Sequence, residues 1–264
     1  MTPLPPPRLL EAIAGIARAA GAAVMAVYDT PFAVSGKADQ SPVTEADQAA
    51  ERLILAALQA LAHHIPVVAE EAVAAHGLPA LASLGERYWL VDPLDGTREF
   101  INRNGEFTVN IALIEHGRPV LGVVLAPALG DGSGGTLWAG GAGLGAWRED
   151  AGGRRRIGCR RVPAEGLTVL ASRSHGDVAA LDAFLAGQRV AAIANAGSSL
   201  KLCRLAEGAA DVYPRFGRTM EWDIAAGHAV LAAAGGGVHT LAGDDLRYGK
   251  PGCENPHFVA RGLG

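Results

Sequence analysis

Apolar residues return at spacings of three and four along the first thirty positions. Leu9, Ile13, Ile16, Ala20, Val24 and Val27 form one stripe, which predicts an amphipathic helix ending near Tyr28. A loop containing Gly36, Lys37 and Ala38 follows and ends at Ser41-Pro42. Thr44 is a suitable N-cap for a second helix through about Leu61, with Leu53, Ile54, Ala57, Leu58 and Leu61 as its buried stripe. Asp47 falls in its first turn, where a carboxylate suits the helix dipole. The pattern then shortens. Apolar runs at 65–69 and 88–91 read as strands, the first ending in Glu70-Glu71 and the second in Asp92. Residues 107–126 read as a hairpin turning at His116-Gly117-Arg118, and strands are expected around 136–138 and 145–147. GGRRRIGCRR is a basic, polar stretch and reads as the connection between two halves.

Alternation resumes beyond it. Strands are expected at 167–171, 190–194 and 211–213, and helices at 177–186 and 200–207, the latter capped by Ser198 or Ser199. Asp223 opens an Ala-rich helix that stops at Gly235, and a closing strand pair is expected around Gly243-Asp244-Asp245. Strands alternating with helices indicate an α/β protein, and the hairpin requires antiparallel pairing, so the sheet is not wholly parallel. We expect one domain of two packed lobes, 1–155 and 156–264, with the chain crossing between them near 150–166.

Composition narrows the class. Of the 264 residues, 49% are apolar but only 5% aromatic, so packing rests on Ala and Gly rather than on bulky anchors. A net charge of −4 argues against a nucleic-acid polymer as partner, since such binders show a basic face. Three scattered cysteines suggest neither a disulfide framework nor a zinc site, and fit reduced thiols in the cytoplasm. No signal peptide is read at the N-terminus, and charge or glycine breaks the apolar helices short of a membrane span.

The densest chemistry lies in WLVDPLDGTREF, which begins at Trp89. Asp92 and Asp95 sit three apart across a sharp turn, where they can share a hard divalent cation, and the carbonyl of Leu94 offers a neutral ligand. Gly96-Thr97 precedes a helical pattern and offers N–H groups to an anion. Metal beside phosphate suggests metal-assisted ester hydrolysis. Either aspartate alone is an ordinary turn former. Glu70-Glu71 alone is a solvated pair. Asp47 and Asp223 alone are helix-start acids.

Four motifs in order change that balance. Thr44-x-x-Asp47, Glu70-Glu71, Asp92-Pro93-Leu94-Asp95-Gly96-Thr97 and Trp222-Asp223 with its small-residue helix resemble the inositol monophosphatase superfamily of metal-dependent phosphatases. REFINRNGEFTVNIALIEHGRPVLGVVLAP, ASRSH and GSSLKLCRLAEGAADVYPRFGRTMEWD resemble its CysQ-type branch, the 3′(2′),5′-bisphosphate nucleotidases.

The resemblance implies an alternating helix–sheet–helix–sheet–helix sandwich and two to three Mg2+ ions. Glu70, Asp92 and the Leu94 carbonyl would hold one ion. Asp92, Asp95 and Asp223 would hold a second, and a third would lean on Glu70. Thr97 and Asp47 would orient the attacking water, with Gly96 and Thr97 gripping the phosphate. The implied substrate is adenosine 3′,5′-bisphosphate (PAP), cleaved to AMP and phosphate, together with the sulfated analogue PAPS cleaved to APS. Candidate partners for its 5′-phosphate are Ser172, Ser174, His175, Ser198, Ser199, Lys201 and Arg215. Their bland readings are helix capping for the 198–199 serines and surface solvation for Lys201 and Arg215. His228 reads as structural. Lithium sensitivity, a role in sulfate assimilation, a homodimer and peripheral association with the inner membrane face are compatible with the resemblance. An inositol monophosphatase or fructose-1,6-bisphosphatase of the same superfamily, or a non-catalytic cation- or nucleotide-binding protein, stay open as alternatives.

Overall fold

The structure is a computed structural model that describes residues 4, 6–36, 42–130, 134–172 and 177–263. Part of the 36–41 loop, with Lys37, Ala38 and Ser41, lies outside them. Helix α1 (Pro6–Tyr28) is followed by a short antiparallel pair, β1 (Val34–Gly36) and β2 (Pro42–Thr44), and by α2 (Glu45–Ala62). Both helices form where the apolar stripes place them. Thr44 caps α2: its hydroxyl accepts from the Ala46 N–H at 3.2 Å, and Asp47 accepts the Thr44 N–H at 2.8 Å.

β3 (Val67–Ala69) leads into the short helices α3 (Glu70–His76) and α4 (Leu81–Leu84). Then come β4 (Arg87–Asp95), α5 (Thr97–Ile101), β5 (Thr108–Glu115), β6 (Arg118–Ala126), β7 (Thr136–Gly141), β8 (Gly145–Asp150) and β9 (Gly153–Ile157). These strands form a seven-stranded sheet in chain order, parallel only between β3 and β4. The connection expected over GGRRRIGCRR does not begin there. The basic stretch that begins at Gly152 is in its first part a strand, the sheet's edge, which gives no apolar alternation because Arg154, Arg155 and Arg156 are exposed. Charge on an edge strand discourages edge-to-edge pairing.

The chain leaves this sheet after Ile157 and enters a second at β10 (Leu167–Ser172). α6 (Val178–Leu185), β11 (Val190–Ala196), α7 (Leu200–Ala206), β12 (Val212–Arg215), α8 (Glu221–Ala233), β13 (Gly237–Thr240) and β14 (Phe258–Arg261) complete it. The second sheet has the order β11-β10-β12-β14-β13, parallel among the first three and antiparallel beyond. The expected closing pair at 243–245 is reduced to one bridge, His239 with Asp245, because β13 pairs instead with β14.

Alternation along the first sheet sorts its side chains into two cores. Trp89, Val91, Ile111, Leu113, Val123 and Leu125 join the α1–α2 cluster, while Leu90, Ala112, Ile114, Val124 and Trp138 face α7 and α8. α8 lies almost backbone-to-backbone on that face. A Cβ added to Gly122 would collide with the Ala226 carbonyl and lie 2.7 Å from Ala229 Cβ. α6 covers the outer face of the second sheet through Leu181, Phe184 and Leu185. The result is the expected helix–sheet–helix–sheet–helix sandwich, with α7 and α8 as its shared middle layer.

One further difference concerns α1. Contrary to the sequence reading, its 23 residues are long and apolar enough to cross a membrane by length and composition alone. Ile13, Ala14, Ala17, Ala20 and Val24 are nevertheless fully buried in the α1–α2 cluster, which accounts for that apolarity as core packing.

Candidate active site

β4 carries the Asp-Pro-Leu-Asp turn at its C-terminal end. Pairing with β5 slips there: Asp92 faces Asn110 and Asp95 faces Thr108, so three steps on β4 oppose two on β5. Such a bulge re-aims side chains at a sheet edge. Asp92 is buried, and its Oδ1 accepts the Leu94 N–H at 3.0 Å, an Asx turn that holds the Leu94 carbonyl in place. Gly96 then takes a left-handed φ of +92° and starts α5 at Thr97. A side chain there would be strained. Thr97 Oγ1 lies 3.5 Å from Asp47 Oδ1 and 3.4 Å from the Leu94 carbonyl. Asp47 is buried, and its other oxygen accepts from the Thr44 hydroxyl at 2.7 Å. Residues 47 and 97 are thus brought together across fifty positions.

Asp95 reaches toward the second half. Its Oδ2 accepts the Ser199 N–H at 2.7 Å and lies 3.5 Å from both Thr108 Oγ1 and Asn110 Nδ2. Burial pushes its pKa up to about 6; Lys201 and the Ser199 N–H oppose that rise, and Glu70 and Glu99 add to it. Asp223 is the third residue of α8 rather than its first, and its Oδ2 accepts the Met220 N–H at 2.8 Å. Its pKa is pushed well above the carboxylate range by burial first, then by the charges of Asp95 and Glu70. Asp95, Asp223 and Glu70 line one cleft.

A cleft of about 280 Å³ opens here, lined by Glu70, Asp95 and Asp223, by Gly96 and Thr97, and by groups of opposite charge. Lys201 and Arg215, readable from sequence as solvated, are buried instead, at 4% and 9% exposure. Lys201 Nζ donates to the carbonyls of Ala196 at 3.0 Å and Ser198 at 2.8 Å, and burial lowers its pKa to about 8. Arg215 donates to the carbonyls of Gly217 and Arg218 at 3.2 and 2.9 Å. Ser172, Ser198 and Ser199 also line the cleft. Ser199 is the N-cap of α7 but does not cap it with its side chain, because its hydroxyl donates to the Asp223 carbonyl at 2.5 Å. Ser174 and His175 lie outside the described residues. His228 is buried against Tyr248, 2.9 Å from its hydroxyl, and burial lowers its pKa to about 3, leaving it neutral and structural.

Among the described residues, no three Asp, Glu, His or Cys side chains stand close enough together to hold an ion as they are now turned. The donor chemistry nevertheless fits a hard divalent cation. Neither histidine nor cysteine is among the described residues that line the cleft, its uncharged and acidic groups offer oxygens, and neighbouring carboxylates raise the pKa values of Asp95 and Asp223, a repulsion that a cation relieves. Glu106 and Arg218 escaped the sequence reading. The first contacts a residue ninety-one positions away, and the second lines the cleft without belonging to any metal or phosphate motif.

The profile described as Inositol monophosphatase family matches residues 7–261. The 3′(2′),5′-bisphosphate nucleotidase CysQ of Shigella flexneri is 49% identical over 242 residues, spanning 91% of this chain and 94% of that protein. Its counterpart from Escherichia coli K12 is 48% identical over the same spans. Among solved structures, CysQ from Bacteroides thetaiotaomicron superposes with a TM-score of 0.80 at 36% identity, covering 97% of this chain and 98% of that one. SuhB from Mycobacterium tuberculosis gives 0.72 at 27% identity, covering 97% and 91%.

Proposed function

Since the chain belongs to the inositol monophosphatase family, whose members are generally dependent on divalent metals, we propose that it is a magnesium-dependent 3′(2′),5′-bisphosphate nucleotidase. It releases the 3′-phosphate of adenosine 3′,5′-bisphosphate to give AMP, and acts likewise on PAPS. The relatives named CysQ support the nucleotide class. The observation that carries the reading is the mixed charge of one cleft. Glu70, Asp95 and Asp223 line it together with two buried cations, Lys201 and Arg215. A substrate with two phosphates suits both: one goes to the acidic cluster through cations, the other to Lys201 and Arg215.

Glu70, Asp92, the Leu94 carbonyl, Asp95 and Asp223 are the proposed ligands of two to three Mg2+ ions. When bound, magnesium supplies positive charge against the phosphoryl oxygens and eases ionisation of the attacking water. The chain's own residues do the rest by position. Thr97 Oγ1, set between Asp47 Oδ1 and the Leu94 carbonyl, orients the water, and Asp47 receives its proton through that hydroxyl. The Gly96 and Thr97 N–H groups face the phosphate being transferred, and fixed donors of this kind cost no reorganisation during reaction. Lys201, Arg215, Ser172 and Ser198, with Ser174 and His175, hold the 5′-phosphate. All three cysteines are buried free thiols, which suits the reduced cytoplasm where we place the enzyme.

Initial rates on adenosine 3′,5′-bisphosphate, inositol 1-phosphate and fructose 1,6-bisphosphate test the substrate. The nucleotide is expected to be turned over fastest, and equal or faster turnover of inositol 1-phosphate overturns the assignment. Asp95→Asn tests the site. It is expected to abolish phosphate release on all three substrates while far-UV circular dichroism stays unchanged; wild-type turnover by this variant would remove Asp95 from the metal site.

A further inference from the structure

The turn between β11 and α7 joins the two halves of the molecule at the cleft. Ser199 gives its N–H to Asp95 Oδ2 at 2.7 Å and its hydroxyl to the Asp223 carbonyl at 2.5 Å. One residue therefore touches two proposed ligands that lie 128 positions apart in sequence, at 95 and 223. The turn has a shape that a serine backbone seldom takes: Ser198 has φ of +37°. Non-glycine residues in that region are held there by their surroundings. Two groups do the holding. Lys201 Nζ binds the carbonyls of Ala196 and Ser198 from the helix side. From the first half, Glu106 Oε2 accepts the Gly197 N–H at 2.8 Å, and the Glu106 carbonyl accepts from the Ser198 hydroxyl at 3.2 Å.

The fit between the two loops is close. A Cβ on Gly197 would lie 2.7 Å from the Glu106 carbonyl oxygen and 3.0 Å from Glu106 Cβ. A Cβ on Gly96 would lie 3.3 Å from that same oxygen and 3.3 Å from Ser198 Cβ. Glycine at 96 and 197 lets the phosphate-facing turn, the Glu106 loop and the serine turn stack without side chains between them.

We propose that Glu106 is a positioning residue. Its carboxylate clamps the Gly197–Ser199 turn across the two halves, and that turn fixes Asp95 against the start of α8. Glu106 does not line the cleft, so it acts through Gly197 and Ser199 rather than on the substrate. The inference rests on the proposed roles of Asp95 and Asp223 but not on the identity of the substrate. A carboxylate acceptor makes a shorter and stronger bond to an N–H than a neutral group does. Small displacements of reacting groups are costly to rate, so the effect belongs in kcat and in cation affinity, and it reaches KM only through Ser198, which a substrate without a second phosphate does not use.

Three variants test this. Glu106→Ala removes the acceptor, Glu106→Asp withdraws it while keeping the charge, and Glu106→Gln keeps an acceptor at the same reach. Ala and Asp are expected to lower kcat by about 10- to 100-fold, as for small misplacements at an active site. Both are also expected to weaken Mg2+ binding measured by isothermal titration calorimetry, with KM for inositol 1-phosphate, which has no second phosphate to meet Ser198, nearly unchanged. Gln is expected to restore most of both. Hydrogen exchange at residues 196–200 should quicken in Ala and Asp and stay slow in Gln. If Glu106→Ala does not fold, the Asp and Gln pair carries the same comparison. Wild-type kcat and Mg2+ affinity in the Asp variant, or equal impairment of Asp and Gln, overturns the proposal. The kcat ratios are measured on inositol 1-phosphate as well, so a wild-type enzyme that ignores the nucleotide refutes the substrate and leaves the Glu106 comparison standing. A wild type that binds no Mg2+ in the calorimeter refutes the metal site itself.

Discussion

At the scale of single residues, Asp95 and Asp223 hold a proton more tightly than a free carboxylate does. Burial raises both pKa values, Asp95 to about 6, and each is raised further by its acidic neighbours. An acid whose folded pKa exceeds its unfolded value binds protons more tightly when folded. Its contribution to stability is therefore greatest below the ordinary carboxylate value of 3.8 and is lost as pH rises through about 6. A divalent cation competes with that proton and reverses the loss. Mg2+ should therefore raise the melting temperature more at about pH 7.5 than at about pH 5. Thermal melts with and without Mg2+ at the two pH values check this, and an equal or larger shift at the lower pH would contradict it. The identities of these acids were legible because their chemistry is local: Asp-Pro-Leu-Asp-Gly-Thr occupies six consecutive positions, and Asp223 follows a tryptophan at the start of an Ala-rich helix. The burial of Lys201 was not legible. Its partners are carbonyls at 196 and 198, and nothing in the side-chain sequence reports where a carbonyl points. Glu106 was hidden for a related reason, since it reads a backbone N–H at Gly197.

At the scale of elements, periodicity carried most of the information. The threefold and fourfold spacing located α1 and α2, and the alternation at 107–126 located the β5–β6 hairpin. Elements without such a pattern were missed. β9 is an exposed arginine edge strand, and β14 pairs with β12 and β13 across long intervals that no local signal encodes. α8 shows how small residues do the work of an apolar stripe. Ala and Gly make up six of its thirteen residues, no single apolar face stands out in its sequence, and it is buried nearly all round. Its approach to the first sheet depends on Gly122 and Gly140, where a Cβ would meet the Ala226 carbonyl and Ala233 Cβ respectively. Gly122→Ala places a methyl group against helix backbone, which cannot swing aside as a side-chain end can. Such overpacking costs about 1–3 kcal/mol. The helix must also shift outward, carrying Asp223 with it. We expect Gly122→Ala to lower the unfolding free energy by that amount, read as a lower urea midpoint, and to lower kcat as well. Gly15→Ala, at a position on α1 where nothing lies within 4 Å of the added carbon, should leave both unchanged or slightly improve stability. Denaturation and rate measurements on the pair separate the two effects.

At the scale of the whole molecule, the two halves share a layer rather than an interface. α7 and α8 belong to the second half by sequence, yet they pack against Leu90, Ala112, Val124 and Trp138 of the first sheet. Polar links reinforce the same layer. Glu207, just past α7, accepts from Trp138 Nε1 and Arg148 Nη1, both at 3.1 Å, and from Arg204 Nη1 at 2.6 Å. Breaking one such partner out of a nearly buried pair leaves the other charge poorly solvated, so these links do not open piecemeal. At the cleft, the turn at 197–199 adds bonds to Asp95 and to Glu106 of the first half. Neither sheet can lose the middle layer without exposing one of its own apolar faces to water, which removes the main driving force for folding. The chain should therefore unfold in one cooperative transition although it exceeds the usual size for such behaviour. Its tryptophans make this testable without labels. Trp89 and Trp147 sit in the core beneath α1 and α2, whereas Trp138 and Trp222 sit in the middle layer. Single-tryptophan variants reporting from Trp89 and from Trp222 should give coincident urea curves, and both should coincide with far-UV circular dichroism. Two resolved midpoints would mean that the halves fold as separate units, and the cleft would then be a junction between domains rather than a site built into one core.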